Sequence, residues 1–190
     1  MKTLFPLTLL AAAVSAQASP DHRPAVQAFL DQGLRAELSS PELVAAVAAQ
    51  NAAHDGLSAA EIEALDAQWR EEVSAGGGEM IERLMTAPAS ERLRAVQAGH
   101  GGLLTEVFVM DRYGLNVAQS DPTSDYWQGD EAKFQETYPM GADAVFIDEV
   151  EFDESTQTLQ TQVSFTLTDP ETGEPVGAVT AALDVERLAP

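Results

Sequence analysis

The stretch Glu106–Ser120, EVFVMDRYGLNVAQS, decides the fold. Glu106 to Asp111 reads as a strand, Asp111-Arg112-Tyr113-Gly114 as a turn, and Leu115 to Ser120 as a second strand. Toward the C-terminus the same kind of signal recurs. Ala144 to Asp153 forms a third strand and turns at Glu154-Ser155-Thr156. Thr158 to Thr168 alternates cleanly, with Val163, Phe165 and Leu167 on one face and Gln162, Ser164, Thr166 and Thr168 on the other. Asp169-Pro170-Glu171-Thr172-Gly173 makes the last turn, and Pro175 to Val185 closes the sheet.

Toward the N-terminus the composition changes. Between Ser19 and Leu103 the only aromatics are Phe29 and Trp69, and alanine and acidic residues dominate. Ser40-Pro41-Glu42 places a capping residue before a proline at the first helical position, which starts a helix running to Asn51. Ser58-Ala59-Ala60-Glu61 is a capping box, with Ile62, Leu65 and Trp69 following at helical spacing. Gly76-Gly77-Gly78 breaks the chain, and short helices over Glu79–Thr86 and Ser90–Gln97 lead to His100-Gly101-Gly102. A helical region, 19–103, followed by a sheet-rich region, 104–190, places the chain in the α+β class. Two strands, an insertion and three further strands, fed by N-terminal helices, is the layout of a PAS-like five-stranded antiparallel sheet.

The first residues predict export. Met1-Lys2 is a minimal positive region, Leu4 to Val14 is apolar, and Ala16-Gln17-Ala18 gives a small-x-small site, so residues 1–18 read as a signal peptide cleaved before Ser19. No other stretch approaches the ~20 apolar residues that a spanning helix needs. With no cysteine in the chain, neither a disulfide nor a lipid-modified cysteine is available. The expected product is an unanchored periplasmic protein of about 170 residues, enough for one domain with a real core. A formal charge of −21 excludes electrostatic binding to nucleic acid or anionic membranes. It fits a solvated acidic surface, and also a basic partner or a cation.

The insertion is TSDYWQGDEAKFQET, Thr123–Thr137. Read as a helix over 123–138, it lines Trp127, Glu131, Phe134 and Tyr138 along one face with Asp130 beside them, and Tyr126 and Lys133 on the flank. Lys133 is the only lysine outside the leader. Rings give shape and charges fix orientation, so the set suits a small polar ligand. An amphipathic helix with core aromatics and solvated charges gives the same pattern.

Enzyme signatures are missing. There is no thiol nucleophile, and His22, His54 and His100 lack metal-binding spacing and read as solvated residues. Neither a GxSxG, a phosphate-binding loop nor a dinucleotide fingerprint occurs. The acidic run Asp148–Glu154 lacks the glycine-spaced loop of a calcium site, and strand alternation divides its carboxylates between two faces. The expectation is a non-enzyme with no cofactor, no metal and no catalytic residues.

VFVMDRYGLNVAQS, DYWQGDEAKF, VFIDEVEFDEST and TDPETGEPVGAVTAALDVERL together resemble extracellular Cache domains, and more narrowly stand-alone exported PDC-sensor proteins. PELVAAVAAQNAAHDGLSAAEIEALDAQWR resembles the helical lead-in of that narrower group, so the likeness spans roughly Ala36 to Leu188. It implies a sheet packed on a long N-terminal helix, with a small-molecule pocket on the opposite sheet face roofed by the segment holding Tyr126 and Trp127. It implies a ligand such as an amino acid, carboxylate or amine. Relatives of this kind sit between the membrane helices of chemoreceptors, histidine kinases or cyclases. This chain has neither such helices nor an output domain, which leaves a free periplasmic module acting through a membrane-bound receptor or kinase.

By position the resemblance points to Tyr126, Trp127, Asp130 and Lys133 on the roof. In the roles the resemblance implies, Trp127 would stack on the ligand or close over its apolar part, Asp130 would pair an ammonium and Lys133 a carboxylate. Met110, Ser164 and Thr180 join them from the sheet, although the sequence leaves open which strand face meets the pocket. Each has a plainer role: an exposed Asp130–Lys133 pair, core packing for Met110, and water-facing hydroxyls for Ser164 and Thr180. A Cache fold that has lost its ligand and serves as an interaction module is the alternative, marked by a pocket filled with its own side chains.

Overall fold

The alternation in Thr158–Thr168 works as a sorting device. Val163, Phe165 and Leu167 are fully buried on one face, while Ser164 and Thr166 are buried on the other, so both faces of the sheet are covered. The computed structural model describes residues 21–154 and 156–188. The expected leader and its cleavage site, and Ser155 of the expected turn, lie outside the described residues.

The helical part comprises α1 (Arg23–Phe29), α2 (Arg35–Leu38), α3 (Pro41–Ala53), α4 (Ala59–Ala75), α5 (Glu79–Met85) and α6 (Pro88–Gly99). The sheet strands are β1 (Leu104–Met110), β2 (Asn116–Gln119), β3 (Val145–Ile147), β4 (Glu151–Asp153), β5 (Thr158–Thr168) and β6 (Pro175–Asp184). A short helix α7 (Ala132–Gln135) and a 3₁₀ turn (Tyr138–Met140) lie between β2 and β3, and α8 (Val185–Leu188) follows β6. The antiparallel order is β2-β1-β6-β5-β3, with β4 also on β5. Strands β3 and β4 are two halves of the expected strand Ala144–Asp153. Between them the Asp148 N–H still donates to the Gln162 carbonyl at 2.9 Å. The α+β class and the open antiparallel sheet are therefore as the sequence predicts, with the edge strand broken in two.

One face of the sheet carries Val107, Val109, Val163, Phe165, Val179 and Ala181. It packs on Val26, Leu30, Leu34, Leu38, Leu43, Val47, Leu93 and Val96 of the helices. Removal of this apolar area from water is the main force joining the two halves of the chain. The single long helix that the resemblance implies is replaced by shorter ones. Gly33, at φ +152°, kinks the chain between α1 and α2, a conformation that only glycine adopts without strain.

The capping box forms as predicted: the Ser58 hydroxyl oxygen accepts from the Glu61 N–H, and the Ser58 N–H donates to Glu61 Oε2 at 2.9 Å. Ser40 stands at the N-cap of α3, but its side chain caps nothing. There Pro41 and the Ser40 carbonyl, which accepts from Val44 N at 3.1 Å, start the helix alone.

The helix expected over 123–138 is corrected: only Ala132–Gln135 is α-helical. From Thr123 to Glu131 the backbone is extended or turned. Its polar groups have better partners than a helix supplies, because Asp66 takes the Tyr126 and Trp127 N–H groups and Asn116 N donates to the Tyr126 carbonyl. Trp127 thereby pairs with Leu115 as an antiparallel bridge beside β2. Trp127, Glu131, Phe134 and Tyr138 accordingly do not share one helical face.

Candidate functional site

Register decides which side chains share a face. Phe108 pairs with Thr180, Thr180 with Ser164, and Ser164 with Phe146, so all four lie on the face away from the helices. One step along, Glu106 pairs with Ala182 and Ala182 with Gln162. The small Ala182 between two longer side chains leaves a hollow in the floor.

The upper part of that face is sealed. Phe134 stacks on Tyr138 at 5.5 Å and, with Tyr138, covers Phe108, Met110 and Ala178. Met110, Ser164 and Thr180 are all fully buried, and the two hydroxyls bond each other at 2.9 Å. They form the bed under the roof rather than an open surface. Thr166, beside them on the same face, buries a hydroxyl with no hydrogen-bond partner among the described residues.

The lower part is open. A cleft of about 710 Å³ is bounded by Glu106 and Phe108 of β1, Gln160 and Gln162 of β5, and the loop segments holding Asp121, Gln128, Glu131 and Lys133. Among the described residues Lys133 is its one lining cation. Its side chain is 14% exposed and pairs with Glu131 at 2.9 Å. It also donates to Gln128 Oε1 at 3.3 Å and stands 5.6 Å from the centre of the Phe108 ring, within cation–π range. Gln97 holds Asp121 at 3.1 Å, and Thr105 donates to Gln160 at 2.9 Å. Glu106 differs from the rest: among the described residues its carboxylate has neither a hydrogen bond nor an ion pair. Burial pushes its carboxyl up to about 7, against the opposing pull of Lys133.

The other roof residues lie elsewhere. Tyr126 is 5% exposed, stacks on Trp69 at 5.6 Å, and belongs to a second apolar cluster with Met80 and Leu115. Trp127 packs on that cluster and donates through Nε1 to the Tyr113 carbonyl at 2.8 Å. The fit is tight: a Cβ on Gly129 would stand 2.3 Å from Trp127 Nε1, and one on Gly114 2.6 Å from Gly129 Cα. Asp130 is exposed and outside the cleft. Of the four roof candidates, the structure therefore brings only Lys133 to the cleft.

The loop is positioned from α4. Asp66 accepts from Tyr126 N at 2.9 Å and from Trp127 N at 3.0 Å, and its second oxygen pairs with Arg70 at 2.7 Å. Arg70 reaches on to Asp125 at 3.0 Å, and Trp69 Nε1 donates to the Thr123 carbonyl at 2.9 Å. Glu106 was missed in the sequence, yet period-two alternation from Met110 through Phe108 leads straight to it. Gln160 and Gln162 were equally legible as the polar side of β5.

The histidines are not the solvated residues expected. His54 Nδ1 lies 2.8 Å from the fully buried Asp111 carboxylate, His100 sits 3.2 Å from Glu37, and His22 contacts the Asp148 carbonyl at 2.7 Å. Among the described residues no group of acids and histidines is arranged to hold a metal ion. Nor is any helix there long and apolar enough to cross a membrane.

No family model and no curated protein matches the chain. Solved structures do. The ligand-binding domain of the Pseudomonas aeruginosa amino acid chemoreceptor PctC, in complex with GABA, is 15% identical over 88% of this chain and 62% of its own, at a TM-score of 0.37. The sensory domain of the Campylobacter jejuni chemoreceptor Tlp3 with isoleucine bound is 10% identical, with coverages of 90% and 66% and a TM-score of 0.40. For the sensor domain of the V. cholerae histidine kinase DctB the figures are 14%, 85%, 58% and 0.37. These neighbours are ligand-binding and sensor domains of chemoreceptors and of a histidine kinase, the class that the sequence resembles. The chain spans about six-tenths of the length of the structures it matches. At such identities and TM-scores the likeness names no ligand, partner or output for this chain.

Proposed function

We propose that this chain is a periplasmic small-molecule sensor module whose ligand occupies the sheet-face cleft. Its ligand is a small metabolite bearing an ammonium group, an amine or an amino-acid-like zwitterion, and its output passes through a separate membrane-bound receptor or kinase. The observation that carries this reading is the unpartnered Glu106 on the cleft floor opposite Lys133. A half-buried carboxylate with no partner among the described residues is costly, and a ligand ammonium would supply the missing charge. Lys133 would take the ligand carboxylate by exchanging it for Glu131, so the cleft matches a zwitterion end to end. In this reading Glu106 takes the ammonium-pairing role expected of Asp130.

One feature favours the ligand-free interaction module: Phe134 and Tyr138 already fill the upper half of the face. The open, charged lower half favours the sensor. A thermal-shift screen of the mature protein against amino acids, amines, carboxylates and divalent cations separates them. A ligand at 100 times its dissociation constant adds about 2.7 kcal/mol. The expected result is a shift confined to ammonium-bearing compounds and lost in both Glu106→Gln and Lys133→Ala. A flat panel would transfer the assignment to the interaction module, and a shift indifferent to both substitutions would remove the ligand from this cleft.

A further inference from the structure

A second cavity lies on the other side of the sheet, within the helical layer. It has a volume of about 540 Å³ and runs between α3, α5 and the start of α6, with Val117 and Tyr126 at its base. Its walls are Ala46 and Ala49 of α3 and Met80 and Leu84 of α5. A cavity of this size and lining suits a small apolar body.

The polar groups cluster at one end. Gln50 and His54, both lining the cavity, are fixed by the buried Asp111 carboxylate at 3.0 and 2.8 Å. Held through Nδ1, His54 keeps Nε2 without a hydrogen-bond partner among the described residues. Arg83 also lines the cavity; it is exposed and forms no ion pair among the described residues, the Glu72 carboxylate being near enough only to feel its charge. Gln50 and His54 are thus joined at Asp111, and Tyr126 and Arg83 line the same cavity. Glu42 lines the opposite end, about 12 Å from Gln50 along α3 at 1.5 Å per residue. Arg83 is exposed at the rim of the cavity, where its guanidinium can meet an anion that enters from solvent.

We infer that this cavity is a second ligand site, taking a small monocarboxylate with an apolar body. The carboxylate meets Arg83, and the apolar body lies along the alanine face of α3 against Met80 and Leu84. The site is separate from the sheet-face cleft and does not rest on the sensor reading of it. It gives Tyr126 a place in ligand binding on the helical side.

The test is calorimetric titration of the mature protein with linear carboxylates from acetate to octanoate. Affinity should rise about fourfold for each methylene that the cavity covers. Arg83→Gln should weaken hexanoate binding by about tenfold. Ala49→Trp, at an exposed position that fills the cavity without entering the core, should abolish it. Lys133→Ala should leave it unchanged. Binding of no member of the series overturns the inference. So does binding that survives Ala49→Trp, which marks non-specific adsorption, or binding lost in Lys133→Ala, which assigns these acids to the sheet-face cleft.

Discussion

Glu106 shows how one residue sets a pH dependence. Its carboxyl is pushed up to about 7 by burial, whereas in the unfolded chain it titrates near the ordinary value. Between those two values the folded state holds the extra proton, so this residue's contribution makes stability fall as pH rises from about 4.5 to 7. Glu106→Gln removes the penalty: it is expected to raise stability by roughly 1–2 kcal/mol at pH 8 and to leave it unchanged at pH 4, as measured by urea unfolding at both values. If the proposed ammonium ligand needs the ionised form, its affinity should drop about tenfold from pH 8 to pH 6. Trp127 makes the contrasting case. Its ring packs on the cluster that holds Leu115 and Tyr126, and its N–H donates to the Tyr113 carbonyl, so Trp127→Ala should cost about 2–3 kcal/mol of stability. Ligand affinity measured well below the lowered midpoint should change less than it does in Lys133→Ala.

At the scale of elements, α4 acts as the fixture for the loop above the cleft. Asp66, Trp69 and Arg70 lie within one and a bit turns and take hold of Thr123, Asp125, Tyr126 and Trp127. Asp66→Ala leaves two N–H groups without their acceptor and Arg70 with Asp125 alone, and should cost about 2–3 kcal/mol. Amide exchange should report it as faster exchange at Tyr126 and Trp127, while β5 and β6 stay protected; unaltered exchange there would refute the fixture. Ser58→Ala, by contrast, removes only the capping box and should cost about 1 kcal/mol, without touching the loop. These elements also show what was legible in the chain. Ser58-x-x-Glu61 and the alternation of β5 are local patterns and formed as read. The loop 123–131 was not legible as a loop, because its spacing of rings and charges suits a helix and the acceptor that unwinds it lies some sixty residues away, at Asp66.

On the scale of the whole molecule, the apolar face of the sheet and the helices form one core, and the net charge is strongly negative. Residues 104–190 expressed alone would expose Val107, Val109, Val163, Phe165 and Val179 to water. That fragment should remain unfolded or aggregate, while residues 19–190 unfold in a single cooperative transition by circular dichroism. A fragment with native-like strand signal would show instead that the sheet stands without the helices. Self-repulsion among the acids should also make the intact protein more stable as sodium chloride rises from 20 to 300 mM, since the screening length shrinks across that range.

The chain by itself determined the α+β class, the positions of β1, β2, β5 and β6, the capping box and the break at Gly76–Gly78, because each depends on residues within a few positions of one another. It also determined that the sheet has an apolar and a mixed face, since alternation is a local property. Only the tertiary structure decided that Glu106 and Lys133 meet in one cleft, that Tyr126 and Trp127 turn away from it, and that Asp111 holds His54 beside a second cavity. Those outcomes depend on strand register and on hydrogen bonds between distant segments, and no spacing within a single segment encodes them.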